Sequence, residues 1–482
     1  MLFVATEFAW FFLIALPLAW LTRPHLGAWK VTMIVAGLFF YGWWRHSGSR
    51  DSDWWLLGTI PGRYCLYLLV FAVVNWFLAE WAARLRASGA SSRPAATAAV
   101  LFDLGALFWF KYAEWVIGLL NDSAGTDIRL SKIILPIGVS FIAFQGLGYV
   151  LDVHRGTQEP ISLSDFTCYL LFFPHIVAGP LVRVSEFVPQ MHQRADPRHV
   201  DASRAFLMIA SGFVKKVILS AYVADHIVKD VFANPKAYGA IDNLVAAYGY
   251  SIQIYCDFSG YTDIAIGLAL LLGIKFPQNF DNPYRSTTIQ EFWRRWHMSL
   301  SRWLRDYLYI GLGGNRKGTV RTYVNLFLTM LIGGIWHGAN TTFIVWGAIH
   351  GGALVIERYF MGRLPEIGAA GVFLRWLATF HVVTLAWIYF NAPSVGVANT
   401  MIGRILGAFT GNLGPSPQLV TAGVLLAIVV GLAWQFVPEW VGDEVIARYR
   451  SLPPVSQGIA LGFVIVVCYF TGSVADFIYF QF

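Results

Sequence analysis

Long apolar runs separated by short polar connections constrain this chain more than any other feature. Runs of this kind occupy residues 3–22, 65–83, 95–120, 244–273, 323–345, 372–390, 418–436 and 457–480. Weaker runs lie at 29–44, 133–151, 166–178 and 204–226. A run of about 18 or more apolar residues with few charges is long enough to cross a bilayer as a helix. Only 13% of the residues are charged and 57% are hydrophobic, against about 25% charged in an ordinary soluble protein. Too few charges remain to coat a water-facing surface of this size. The sequence therefore predicts an all-α integral membrane protein with roughly ten to twelve crossings, some of them re-entrant or interfacial.

The net charge of +7 does not point to nucleic acid. The basic residues fall in short loops, where they orient helices and meet anionic lipid. The first run carries Glu7, is followed by Arg23 and has no small-residue cleavage site, so it reads as a retained span and not a cleaved leader. Arg23 and Lys30, then Arg84, Arg86 and Arg93, mark two loops on the cytoplasmic side. The loop between them, with Arg45, Arg50 and Arg63 but also Asp51 and Asp53, makes the bias slight. Cys65, Cys168, Cys256 and Cys468 lie in or beside apolar runs, without metal-site spacing, and read as small buried hydrophobes. The longest polar stretches (184–203, 391–417, 437–456) are too short for a soluble catalytic domain. Residues 1–482 read as a single membrane domain, and any chemistry belongs in or beside the bilayer.

Residues 275–322 differ from the rest, being dense in charge and aromatic rings together. Asn282-Pro283 marks a turn, and Thr288 with Glu291 has capping-box spacing. A helix over about 289–310 places Trp293, His297, Leu300 and Leu304 on one face. Such an amphipathic helix suits the membrane interface or the wall of a wet funnel.

Several residues could carry chemistry. His337 sits in GGIWHGAN at the end of an apolar run. An imidazole there is costly without a partner or a cavity. An unperturbed histidine titrates near ~6.5, so a buried one is expected to be neutral and able to take a proton as a general base. A single hydrogen bond to a neighbouring helix would also explain it. His297 is the second candidate, as an aid to His337 or a donor to a carbonyl oxygen; simple packing is the alternative. Asp257 and Tyr261 share a helix face inside an apolar stretch, with Asp263 pointing elsewhere. An ion pair between these acids and an arginine in 285–305 is the plainer reading. FFPHIVAGPLVR (172–183), with His175, reads as a broken or re-entrant helix. ILPIGVSFIAFQ, with Ser140 and Gln145, has similar features. Together with Trp296, Trp336, Asn340 and Arg295, these make up the candidate substrate-binding set. No HExxH occurs, and neither histidine has a ligand at helical spacing, so no metal site is expected.

The blocks LPIGVSFIAFQ, FFPHIVAGPLVR, QIYCDFSGYTDIAIGLALLLGIKFPQNFDNPYRS, EFWRRWHMSLSRWLRDYLYIGLGGNR and GGIWHGANTTFIVWGAIHG resemble, in order and spacing, those of the bacterial alginate O-acetylation membrane proteins. These belong to the membrane-bound O-acyltransferase (MBOAT) superfamily. The resemblance runs from about residue 100 to the C-terminal FIYFQF. It implies a many-helix bundle around a central funnel or tunnel, with His337 as the essential residue and His297 as the second histidine near it. It also implies a thioester donor, acetyl-CoA or an acyl carrier protein, with no permanently bound cofactor. The acceptor would be an extracytoplasmic polysaccharide, reached with a periplasmic or extracellular acetyltransferase partner, from the bacterial inner membrane. Relatives also move D-alanine towards teichoic acids. The chain departs from the family pattern at Asn391, where an arginine is usual. The competing function is a transporter, or a non-catalytic scaffold of a polysaccharide acetylation complex.

Overall fold

The computed structural model describes residues 2–43, 60–130, 133, 135–177, 179–193, 195–361 and 368–472. Arg45, Arg50, Asp51, Asp53 and the C-terminal FIYFQF lie outside the described residues. All regular structure among the described residues is helical. Among the described residues, six helices are long and apolar enough to cross a membrane, or seven if one bent pair is a single span. This falls short of ten to twelve because the runs at 29–44, 133–151 and 166–178 form short helices, and the run at 323–345 is cut by a break after His337.

The chain divides into two compact units, residues 1–205 with 264–277, and residues 206–263 with 278–482. The first unit contains α1 (Thr6–Thr22), α2 (Leu26–Gly42), α3 (Gly62–Ala87), α4 (Arg93–Ala124), α5 (Val139–Arg155) and α6 (Leu163–Leu170). A cluster of phenylalanines packs α1 and α2: Phe8 and Phe40 lie 5.9 Å apart edge to face, and Phe173 packs 5.7 Å from Phe40. The segment around His175 is broken, as its prolines predict: the single helical turn Phe173–Ile176 is followed by residues 179–183, which form no regular structure. Gly138 permits this. It adopts φ +69°, and a Cβ there would lie 2.3 Å from the Ile176 carbonyl, a contact only glycine allows.

The second unit contains most of α7 (Ala202–Ala233) and α8 (Ala240–Leu271), then α9 (Ile289–Arg295), α10 (Met298–Trp303), α11 (Thr319–His337) and α12 (Thr341–Met361). It ends with α13 (Ala369–Asn391), α14 (Ala422–Phe436), α15 (Glu439–Arg450) and α16 (Pro454–Thr471). Burial separates the roles of these helices. The apolar window of α8 is 94% buried, that of α16 only 11%. Val455, Ile459, Phe463 and Phe470 of α16 are all exposed. Water would not tolerate such a contiguous apolar face, but lipid would.

Candidate active site

The site is assembled in the second unit, around a break in the aromatic-basic segment. Thr288 caps α9 and its hydroxyl accepts the Glu291 N–H (3.0 Å), while Glu291 accepts the Thr287 N–H (2.9 Å). Burial works to raise the Glu291 carboxyl, but the Thr287 N–H and the Arg295 guanidinium outweigh it and hold it below its ordinary range. The helix does not continue to 310. It stops at Arg295, and His297 takes the left-handed conformation, φ 42° and ψ 56°, before α10 begins. The grouping of Trp293, His297, Leu300 and Leu304 on one face therefore fails.

A left-handed residue other than glycine costs about 1–3 kcal/mol and persists only where its surroundings impose it. Here the segment 279–281 does so. The Asn279 side-chain oxygen accepts the Ser299 N–H (3.1 Å) and hydroxyl (2.8 Å), and the Asn279 carbonyl accepts the Met298 N–H (2.9 Å). On the other side of the break, Asp281 and Arg295 exchange a backbone hydrogen bond (3.0 Å) and an ion pair (2.5 Å). The turn presses the His297 ring edge-on against Phe258, 4.7 Å between centroids. His297 Nδ1–H donates to Asn279 Oδ1 (3.3 Å), so Nε2 carries the lone pair. Burial pushes this imidazole down to about 3. The arrangement thus holds a neutral ring with a proton-accepting nitrogen.

His337 is the last residue of α11 and is 6% exposed. Trp336 (4.9 Å), Phe390 (5.0 Å), Trp346 (5.1 Å) and Phe343 (6.3 Å) surround its ring. The short break between α11 and α12 is built on glycine. A Cβ on Gly334 would meet the Phe343 carbonyl at 2.4 Å, and one on Gly347 the Met330 carbonyl at 2.7 Å, the close approach small residues give membrane helices. Asn340 braces the same turn, donating to the Pro393 carbonyl (3.0 Å) and accepting the Thr342 N–H (3.0 Å). Asn391, at the end of α13, lies beside that anchor in sequence.

Helix α12 ties the two histidine segments together. Its Glu357 accepts the N–H groups of Ile289 (2.5 Å) and Gln290 (3.2 Å) at the start of α9. One turn further along α9, Trp293 Nε1–H donates to His350 Nδ1 (3.3 Å). Rings then connect the two sides: Phe280 packs on His297 (6.3 Å) and Trp296 (5.1 Å), Trp296 on Trp387 (5.0 Å), Trp387 on Phe390 (5.2 Å), and Phe390 on His337. His350, fully buried between Trp346 and Phe292, was not among the sequence candidates. The rule that singled out His337, an imidazole within an apolar helix, would have found it.

The remaining candidates divide. Asp257 pairs with Lys216, and Asp263 with Lys215 (2.7 Å). Their partners are adjacent lysines of α7, not arginines of 285–305. Gly260 allows this approach, since a Cβ there would lie 2.7 Å from the Gly212 carbonyl. Tyr261 is buried on α8, one turn beyond Asp257. Arg295 is engaged by Asp281 and Glu291 (3.0 Å). Ser140, Gln145 and His175 belong to the first unit. There His175 Nε2–H donates to the Tyr169 carbonyl (2.7 Å), its ring stacks on Phe276 (5.5 Å), and burial pushes it down to about 4. Gln145 is buried, with neither side-chain polar atom hydrogen-bonded to the described residues.

An all-helical, apolar-faced chain with buried neutral imidazoles suits acyl transfer beside a membrane, and comparison with known proteins agrees. Residues 158–395 match the MBOAT, membrane-bound O-acyltransferase family. The chain is 40% identical over 415 residues to the probable alginate O-acetylase AlgI of Pseudomonas aeruginosa, covering 83% of this chain and 74% of the relative. It is 32% identical over 412 residues to the peptidoglycan O-acetyltransferase of Helicobacter pylori, covering 78% of this chain and 74% of the relative. The teichoic acid D-alanyltransferase of Bacillus subtilis is 30% identical over 277 residues, 53% of this chain and 68% of the relative. The chain belongs to the membrane-bound O-acyltransferase family and is a multi-pass membrane O-acyltransferase.

Proposed function

We propose that residues 1–482 work as one polytopic enzyme of the bacterial inner membrane, moving an acetyl group from a cytoplasmic thioester to an extracytoplasmic hydroxyl. The donor is acetyl-CoA or an acyl carrier protein. The acceptor is a polysaccharide, or a periplasmic or extracellular acetyltransferase partner that relays the group. His337 is the general base and His297 assists it. The observation that carries this reading is the setting of His337, an imidazole at the carbonyl end of α11 enclosed by four aromatic rings. Aromatic walls keep competing water from an activated acyl group, and the carbonyl end of a helix favours the positive charge an imidazole gains on taking a proton.

The names of the relatives support the chemistry class, since all three transfer an acyl group and two transfer acetyl. In the step itself the acceptor oxygen attacks the thioester carbonyl carbon as His337 removes its proton. The carbonyl electrons move onto oxygen and return as the C–S bond breaks, and the imidazolium hands its proton to the departing thiolate. Trp336, Asn340, Trp296, Arg295, Asp257 and Tyr261 complete the proposed substrate-binding set. The test is product balance in inverted membrane vesicles given acetyl-CoA: one free thiol is expected for each ester formed on glycan or partner. Intact acetyl-CoA accumulating in the vesicle lumen, with neither ester formed nor thiol released, in vesicles containing this chain as the only acyltransferase would assign it a carrier role instead.

A further inference from the structure

The transfer step needs a second function that His337 and His297 do not supply, a donor for the carbonyl oxygen as it becomes an oxyanion. Two buried N–H groups are available for it, one on the ring beside His337 and one on the next ring. His350 is wholly buried, and its Nδ1 is committed as an acceptor because the indole of Trp293 can only donate (3.3 Å). A neutral imidazole with an accepting Nδ1 carries its proton on Nε2, and His350 Nε2 has no hydrogen-bond partner among the described residues. The indole Nε1–H of Trp346, 1% exposed, likewise has none. Their rings lie 4.9 Å apart, and that of Trp346 lies 5.1 Å from the ring of His337. An orphaned buried N–H is costly. Two on adjoining rings, one of them packed on the proposed base, imply an acceptor that arrives with substrate.

We propose that His350 Nε2–H, with Trp346 Nε1–H, donates to the carbonyl oxygen of the thioester as the acceptor hydroxyl adds to it. This rests on the acyl-transfer reading above and assigns the oxyanion side of it. The hydroxyl oxygen bonds to the carbonyl carbon, the C=O electron pair moves onto oxygen and is held by the two donors, and its return expels the thiolate, which takes the hydroxyl proton from His337. His350 and His297 then play opposite parts. Trp293 fixes His350 with a proton on Nε2, whereas Asn279 fixes His297 with a lone pair there.

The experiment follows incorporation of label from [14C]acetyl-CoA into glycan by inverted vesicles from cells that make both enzyme and acceptor, over a range of pH and donor concentration. His350→Phe is expected to lower kcat by about 10²–10³-fold with the donor KM unchanged. His350→Gln, whose side-chain NH2 can stand in for Nε2–H, should recover a part of that loss and keep the wild-type pH profile. Trp346→Phe, which keeps an aromatic ring but deletes the donor along with part of the indole, should lower kcat with the same KM. Two results overturn the assignment while leaving the acyl-transfer reading intact: full activity in both His350→Phe and Trp346→Phe while His337→Gln is dead, or loss of the acid limb of the pH profile in His350→Gln. Wild-type vesicles that incorporate no label, or a fully active His337→Gln, overturn the reading and the assignment with it. Near-ultraviolet circular dichroism and elution as a single species separate a folded, slow variant from a collapsed one. Loss of rate in His350→Phe with loss of fold, but a native Trp346→Phe at full rate, also counts against the assignment.

Discussion

Two residues decide how the aromatic-basic segment is used. His297 occupies a backbone conformation that helical periodicity does not anticipate, because Asn279 and Asp281, far back in sequence, hold the turn. Asn279→Ala removes the acceptor of three contacts. It is expected to cost about 1–3 kcal/mol, to be read as a lowered unfolding midpoint in detergent, and to reduce transfer more than it reduces donor affinity. The His297 imidazole also fixes a pH dependence. Burial takes it from an ordinary 6.5 to about 3 in the folded protein. The unfolded chain therefore binds the proton first, and the ring's contribution to stability is complete above about pH 6.5 and is lost as the pH falls towards 3. Wild type is expected to lose more stability than His297→Gln between pH 6.5 and 4, and an equal loss in the two would contradict this. The burial of His337 and His297 is legible from residue type and setting. His350, an imidazole within an apolar helix, carries the same signal, whereas the lysine partners of Asp257 and Asp263 depend on which helix lies against α8.

At the scale of elements, α12 holds α9 at one end through Glu357 and along its length through His350, and packs on α11 through glycine. Gly334→Ala would drive a methyl group to 2.4 Å from the Phe343 carbonyl and is expected to destabilise by about 1–3 kcal/mol. Gly352→Ala on the same hairpin meets nothing within 4 Å and is expected to be neutral or stabilising by about 0.4–1 kcal/mol. Thermal unfolding of the two variants side by side is the check. The paired ions of α7 and α8 behave differently from packing contacts. Lys216→Met leaves a carboxylate at 3% exposure without its cation, at a cost of about 3–5 kcal/mol. The double replacement Lys216→Met with Asp257→Leu is expected to recover most of that loss in the same assay. Helix positions and the cap at Thr288 could be read from local spacing. The break at 296–297 and the cut after His337 could not, because each is imposed by a non-local neighbour.

The whole molecule follows from an apolar majority that has to be covered by lipid or by itself. Long helices such as α8 are buried by other helices, and others such as α16 turn apolar side chains outward. The protein is therefore expected to remain in the membrane fraction through high-salt and alkaline washes that strip peripheral proteins. The low charge content and the long runs made the fold class plain, whereas the count of crossings did not follow, because apolar runs such as 323–345 contain breaks that hydropathy averages away. The central claim is that all this helical scaffolding serves one proton-accepting imidazole. It is tested most directly by comparing acetyl ester formation in vesicles bearing wild type and His337→Ala at equal amounts of folded protein. The account requires transfer to vanish in the variant while insertion and unfolding midpoint stay within the wild-type range; an undiminished rate in a natively folded His337→Ala would contradict it.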